Sequence, residues 1–88
     1  MKAIFRHTIR FYEELESRSS LEDGLTVFRG HPTRVVTESL EMPLPYYSRM
    51  REMLITLDCI KQIKRGSAKS ESEWILVRKP EPADFDTL

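Results

Sequence analysis

The sequence predicts a small α+β domain in which a helix, a strand, two helices and a β-hairpin follow one another. Three observations carry this reading. Apolar residues recur at helical spacing in three segments, short β-branched runs lie between glycines or small polar residues, and Pro43 and Pro45 separate the second and third helical segments. A chain of 88 residues forms one domain, because at this length only about 60–65% of the unfolded surface is buried and one thin core results. Apolar residues are 40% of the chain and charged residues 32%, the balance of a soluble globular domain.

The first helix spans Lys2–Ser17. At ~100° per residue, Ile4, Phe5, Ile9, Phe11, Tyr12 and Leu15 fall within an arc of roughly 160°, with Arg6, Arg10, Glu13 and Glu14 on the other side. Arg18-Ser19-Ser20 and Glu22-Asp23-Gly24 are stop and turn signals. Leu25-Thr26-Val27-Phe28, bounded by Gly24 and Gly30, reads as a brief strand. The second helix runs over His31–Met42, with Pro32 in its first turn, where the missing N–H is not needed. It carries the i, i+4 pair Val36 and Leu40 and ends at Pro43-Leu44-Pro45, since residues before proline are pushed out of the α region.

Pro45 suits the first turn of a third helix, Tyr46–Leu57, whose apolar stripe is Tyr47, Met50, Leu54 and Leu57. Ser48, Arg49, Glu52 and Thr56 face the other way. Two short helices joined by about three residues have the form of a helix-turn-helix. Ile60–Arg65 and Glu73–Arg78, β-prone runs around the small polar segment from Gly66 to Ser72, read as a hairpin. Trp74 is expected in the core under the first helix, and Cys59 as a small buried apolar residue. Pro80–Leu88 reads as an acidic tail on a domain of residues 1–79.

The formal net charge of zero hides an uneven distribution. Residues 61–79 hold six basic side chains (Lys61, Lys64, Arg65, Lys69, Arg78 and Lys79) against Glu71 and Glu73. The tail holds Glu81, Asp84 and Asp86. A basic block of this kind points to an anionic partner. The tail, kept extended by Pro80 and Pro82, is expected to be a plain disordered end, with two alternatives: that it competes with that partner electrostatically, or that it docks through Phe85 and Leu88.

The element order is the winged-helix arrangement, and Val36–Arg65 resembles the winged helix-turn-helix of MarR-like and other small prokaryotic, plasmid and phage regulators. Leu40-Glu41-Met42 is similar to the Leu-Gly-Leu-like end of their second helix. Tyr47-Ser48-Arg49-Met50 resembles the apolar-Ser-Arg-apolar core of their recognition helix. Leu57-Asp58-Cys59-Ile60 resembles its exit, with Asp58 where a glycine is usual, and Asp tolerates the left-handed conformation needed there.

The resemblance implies sequence-specific binding to double-stranded DNA by a transcriptional regulator or an accessory replication or recombination factor. The third helix would enter the major groove and the hairpin would grip the adjacent backbone. The residues carried over are Pro45, Tyr46, Ser48, Arg49 and Glu52 on the helix, and Lys61, Lys64, Arg65 and Lys69 on the hairpin. Arg49 suits a bidentate contact to guanine, while Glu52 suits intrahelical pairing better than a base. The alternative is a protein-interaction winged helix, such as a phage-encoded modulator of a host complex, favoured by the apolar Leu44-Pro45-Tyr46 and the acidic tail.

Other functions find little footing. One cysteine excludes an internal disulfide, and with His7 and His31 it cannot build a cysteine-rich zinc site. No nucleophile triad, phosphate loop or paired-carboxylate motif is present, so neither catalysis nor a cofactor is expected. No run approaches the ~20 apolar residues of a membrane span, and Arg6, His7 and Arg10 interrupt any signal-peptide core. A cytoplasmic protein is expected, with a possible homodimer through residues 2–17 unless the hairpin covers their wide apolar face.

Overall fold

A computed structural model describes all residues, Met1–Leu88. Helix α1 (Ala3–Ser17) leads into an antiparallel pair, β1 (Ser20–Glu22) and β2 (Leu25–Gly30). A short α2 (Pro32–Arg34) runs directly into one π-helical turn (Val35–Ser39), followed by α3 (Pro45–Thr56). Strands β3 (Ile60–Lys64) and β4 (Ser72–Leu76) precede a 3-10 helix (Pro82–Thr87). The strands form one antiparallel sheet in the order β1-β2-β4-β3. The α+β class is as expected. No helix is long and apolar enough to cross a membrane.

Three elements depart from the sequence expectation. The segment read as stop and turn signals contains β1. Asp23 (φ 50°) and Gly24 (φ 80°) both take left-handed backbone, the requirement of a two-residue hairpin turn whose twist matches its strands. The second helix is shorter than His31–Met42 and widens after one α turn. The Leu40 N–H donates to the Val35 carbonyl at 3.0 Å, five residues back, so Val35, Val36 and Leu40 all reach the core. The tail is folded. Phe85 is 2% exposed and stacks on Phe5 with ring centroids 4.7 Å apart. Phe5 belongs to the apolar face expected to dimerise or to lie under the hairpin; part of that face is covered instead by the chain's own C-terminal segment.

The ends of both central helices use left-handed acidic residues, Glu41 (φ 54°) and Asp58 (φ 55°). After α3 the Asp58 N–H donates to the Ile55 carbonyl (3.0 Å) and the Cys59 N–H to the Leu54 carbonyl (2.8 Å). This is the Schellman pattern, closed by contact between two fully buried side chains, Leu54 and Cys59. The departure from glycine at Asp58 therefore leaves the turn intact.

The core joins α1, α3 and the inner face of the sheet. Phe11, Tyr12 and Leu15 of α1 meet Met50 and Leu54 of α3, with Phe28, Trp74 and Leu76 beneath. Its buried polar groups are all satisfied. Thr8 donates to the Ile4 carbonyl at 2.7 Å, the Trp74 indole N–H donates to Ser72 Oγ at 3.0 Å, and Ser72 Oγ donates to the Gly30 carbonyl at 2.9 Å. On the outer face, Arg29 pairs with Glu22 although the two are offset along the strands. The Arg29 guanidinium, helped by the Ser20 hydroxyl, holds the Glu22 carboxyl down at about 2.

The C-terminal segment yields the first expectation. Phe85→Ala should destabilise the domain by about 3 kcal/mol, at the lower end of the range for a buried aromatic. Leu88→Ala, at a half-exposed position, should stay within about 0.5 kcal/mol. Urea denaturation measures both, and equal losses would contradict the docking of Phe85.

Candidate functional site

One side of α3 and the hairpin of β3 and β4 border a cleft of about 580 Å³. From α3 it is lined by Tyr47, Arg51, Glu52 and Ile55, and from the hairpin by Gln62, Arg65, Ser67 and Trp74. His31-Pro32-Thr33 closes the remaining side. The wall at the hairpin is closely packed for a local reason. A Cβ on Gly66 would stand 2.7 Å from the Ser72 backbone nitrogen, so only glycine allows the loop to approach β4 this closely. Ser67 and Ser70 exchange backbone bonds across the tip (2.9 and 3.3 Å).

Of the residues expected on α3, Pro45, Ser48, Arg49 and Glu52 are exposed and Tyr46 is half-buried against the core. Arg49 forms no ion pair. Glu52 pairs within the helix, but with Arg51 at 3.1 Å and not with Arg49. Tyr47 bridges two environments. One side of its ring meets Phe11 edge-on at 6.1 Å, and the Arg51 guanidinium lies 5.2 Å from its centroid. Arg51 is thus held beside the cleft by a cation–π contact. The sequence reading omits it, although Tyr47 four residues earlier was the available signal. Arg49, two residues before Arg51 and so ~200° around the helix, points away from the cleft.

The hairpin cations divide into two groups. Lys64 pairs with Glu73 at 3.7 Å, Arg78 with Asp84 at 2.9 Å and Lys79 with Glu13 at 2.7 Å. Lys61, Arg65 and Lys69 are exposed and have no carboxylate partner. Three of the six basic residues are therefore paired with carboxylates and three are not. Asp84 meets Arg78 at the base of the hairpin, which ties part of the tail's charge there. Cys59 is fully buried and burial pushes its thiol up, which makes it a packing residue.

A second cleft, of about 250 Å³, gathers Arg18, Arg29 and Arg34 with Glu38 and Glu71. Arg18 is already held by Glu14, and Arg29 by Glu22 and Glu73. No group of His, Cys, Asp and Glu side chains is arranged to hold a metal ion. Comparisons with protein-family models, curated protein sequences and solved structures gave no match to this chain.

The Arg78–Asp84 pair gives a pH expectation. The Arg78 guanidinium, and after it the Glu81 backbone N–H, hold the Asp84 carboxyl below the usual range. A depressed folded value means stabilisation that is complete above the unfolded value of ~3.9 and lost as pH falls through the folded one. The gap in melting temperature between the native chain and Asp84→Asn should be steady at neutral pH and close progressively below about pH 4. A constant gap down to about pH 2 would exclude the pairing in solution.

Proposed function

We propose that this chain is a small winged-helix protein that binds double-stranded DNA, with α3 in the major groove and the β3–β4 hairpin as the wing. The observation that carries the reading is the separation of roles among the cations. Arg49 on the outward face of α3, and Lys61, Arg65 and Lys69 on the hairpin, are exposed and unpaired. Cations left without partners beside an exposed helix suit the two tasks of a groove reader, base contact and backbone grip. The element order and the β2-β4-β3 part of the sheet agree with this reading. As a biological role we propose sequence-specific regulation of transcription, or an accessory part in replication or recombination, in a prokaryote, plasmid or phage.

A second reading has its own observation. Leu44 and Ile55, near the two ends of α3, are 53% and 39% exposed. Apolar side chains on this face suit a protein partner.

Selection from a random duplex library tests the first reading. On the selected site, Arg49→Ala should cost about 1–3 kcal/mol, with far less lost on random duplex. Equal losses would reduce Arg49 to a phosphate contact. Joint replacement of Lys61 and Lys69 by Ala should weaken all sequences alike and flatten the salt dependence by up to ~0.9 per phosphate contact. A native chain with no affinity for duplex at low salt would leave the protein-partner reading.

A further inference from the structure

We propose that the cleft between α3 and the hairpin seats one phosphate group, clasped from opposite walls by Arg51 and Arg65. The proposal deepens the DNA reading by giving the backbone a defined seat, away from the base-reading side chain Arg49. Both arginines line the same cleft, one from α3 and one from the hairpin. They differ in how they are prepared. Arg51 rests on the Tyr47 ring, and its only carboxylate partner is the adjacent Glu52, whose side chain is 63% exposed. Such a pair is readily exchanged for a stronger anion. Arg65 has no acidic partner, although Lys64 beside it is held by Glu73.

The floor of the cleft competes for nothing. Trp74 Nε1 is committed to Ser72 Oγ, which is in turn committed to the Gly30 carbonyl. The donors lining the cleft include the two arginines and the Ser67 hydroxyl, whose contact with Ser70 Oγ (3.0 Å) is exposed and exchangeable, with Gln62, His31 and Thr33 around them. Two guanidinium forks and a hydroxyl match a tetrahedral oxyanion, which arginine binds in bidentate fashion. The volume of about 580 Å³ admits a phosphate with the sugars attached to it. The source is either a nucleic-acid backbone or free phosphate, and the two are separable.

The test uses the full chain, with the single tryptophan as reporter because Trp74 lines the cleft. Native protein, Arg51→Gln, Arg65→Gln and the double variant are titrated with a duplex over a range of salt, and separately with inorganic phosphate. Arg10→Gln, an exposed and unpaired position on α1, is the control, and thermal melts verify that each variant is folded.

Because the two arginines share one phosphate, the double variant should flatten the salt slope by ~0.9, no more than the larger single effect. Arg51→Lys should restore the slope that Arg51→Gln loses. A loss of about 1.8 in the double variant would mean two separate phosphates and would overturn the clasp. Unchanged slopes with duplex binding intact would also overturn it, while leaving the DNA reading in place. If the duplex does not bind but inorganic phosphate quenches Trp74 in native protein and not in the double variant, the seat stands for free phosphate and the DNA reading fails. If neither probe binds, both fall.

Discussion

The junction Leu57-Asp58-Cys59 is the constraint on which the rest of the molecule depends. The left-handed turn at Asp58 ends α3 and redirects the chain into β3. The Cys59 carbonyl accepts the Val77 N–H at 2.7 Å, and the Leu57 carbonyl accepts from the Arg78 guanidinium at 2.8 Å. Arg78 reaches on to Asp84, which caps the 3-10 helix that carries Phe85 onto Phe5. Three segments distant in sequence are thus fastened within a few residues. The side chain at the centre must be small, because Cys59 has no exposed surface and extra volume in a close-packed site forces strain.

Arg78, held at that junction, is one of three cations of residues 61–79 already paired with a carboxylate. Exposed ion pairs such as Lys79–Glu13 add little stability individually. Their larger effect is to remove cations from the outer field, leaving positive charge at the hairpin tip and beside α3. The neutral total says nothing about this sorting, which arises from contacts as distant as Lys79 with Glu13, 66 residues apart.

The helices with clear apolar stripes were legible in the sequence. Phe11, Tyr12 and Leu15 recur at helical spacing, as do Met50 and Leu54, and all are buried. The hairpin and the tolerance of Asp58 for left-handed backbone were legible for equally local reasons. What escaped lacks a period. Strand β1 is three residues long, and Asp23-Gly24 can end a helix region as well as close a hairpin. The π turn differs from an α turn by one hydrogen bond. Phe85 is a single aromatic among acidic residues, and its destination on Phe5 depends on tertiary contact alone. In the cleft, Arg65 was identifiable by charge, whereas Arg51 acquires its place from the Tyr47 ring and from helix rotation.

The order of strands has a consequence for how the chain acquires its structure. Strand β4 is the last strand to leave a ribosome, yet it lies between β2 and β3, and Phe28 pairs with Trp74 across about half of the chain. Until those residues emerge, β2 and β3 have no shared neighbour and their inner faces have no tryptophan to pack upon. The helices can collapse on one another and β1 can pair with β2 locally, but joining β2 to β4 closes a long loop, the slow class of contact. A nascent or truncated chain lacking β4 presents two unpaired strand edges at once and is the form most exposed to misassociation.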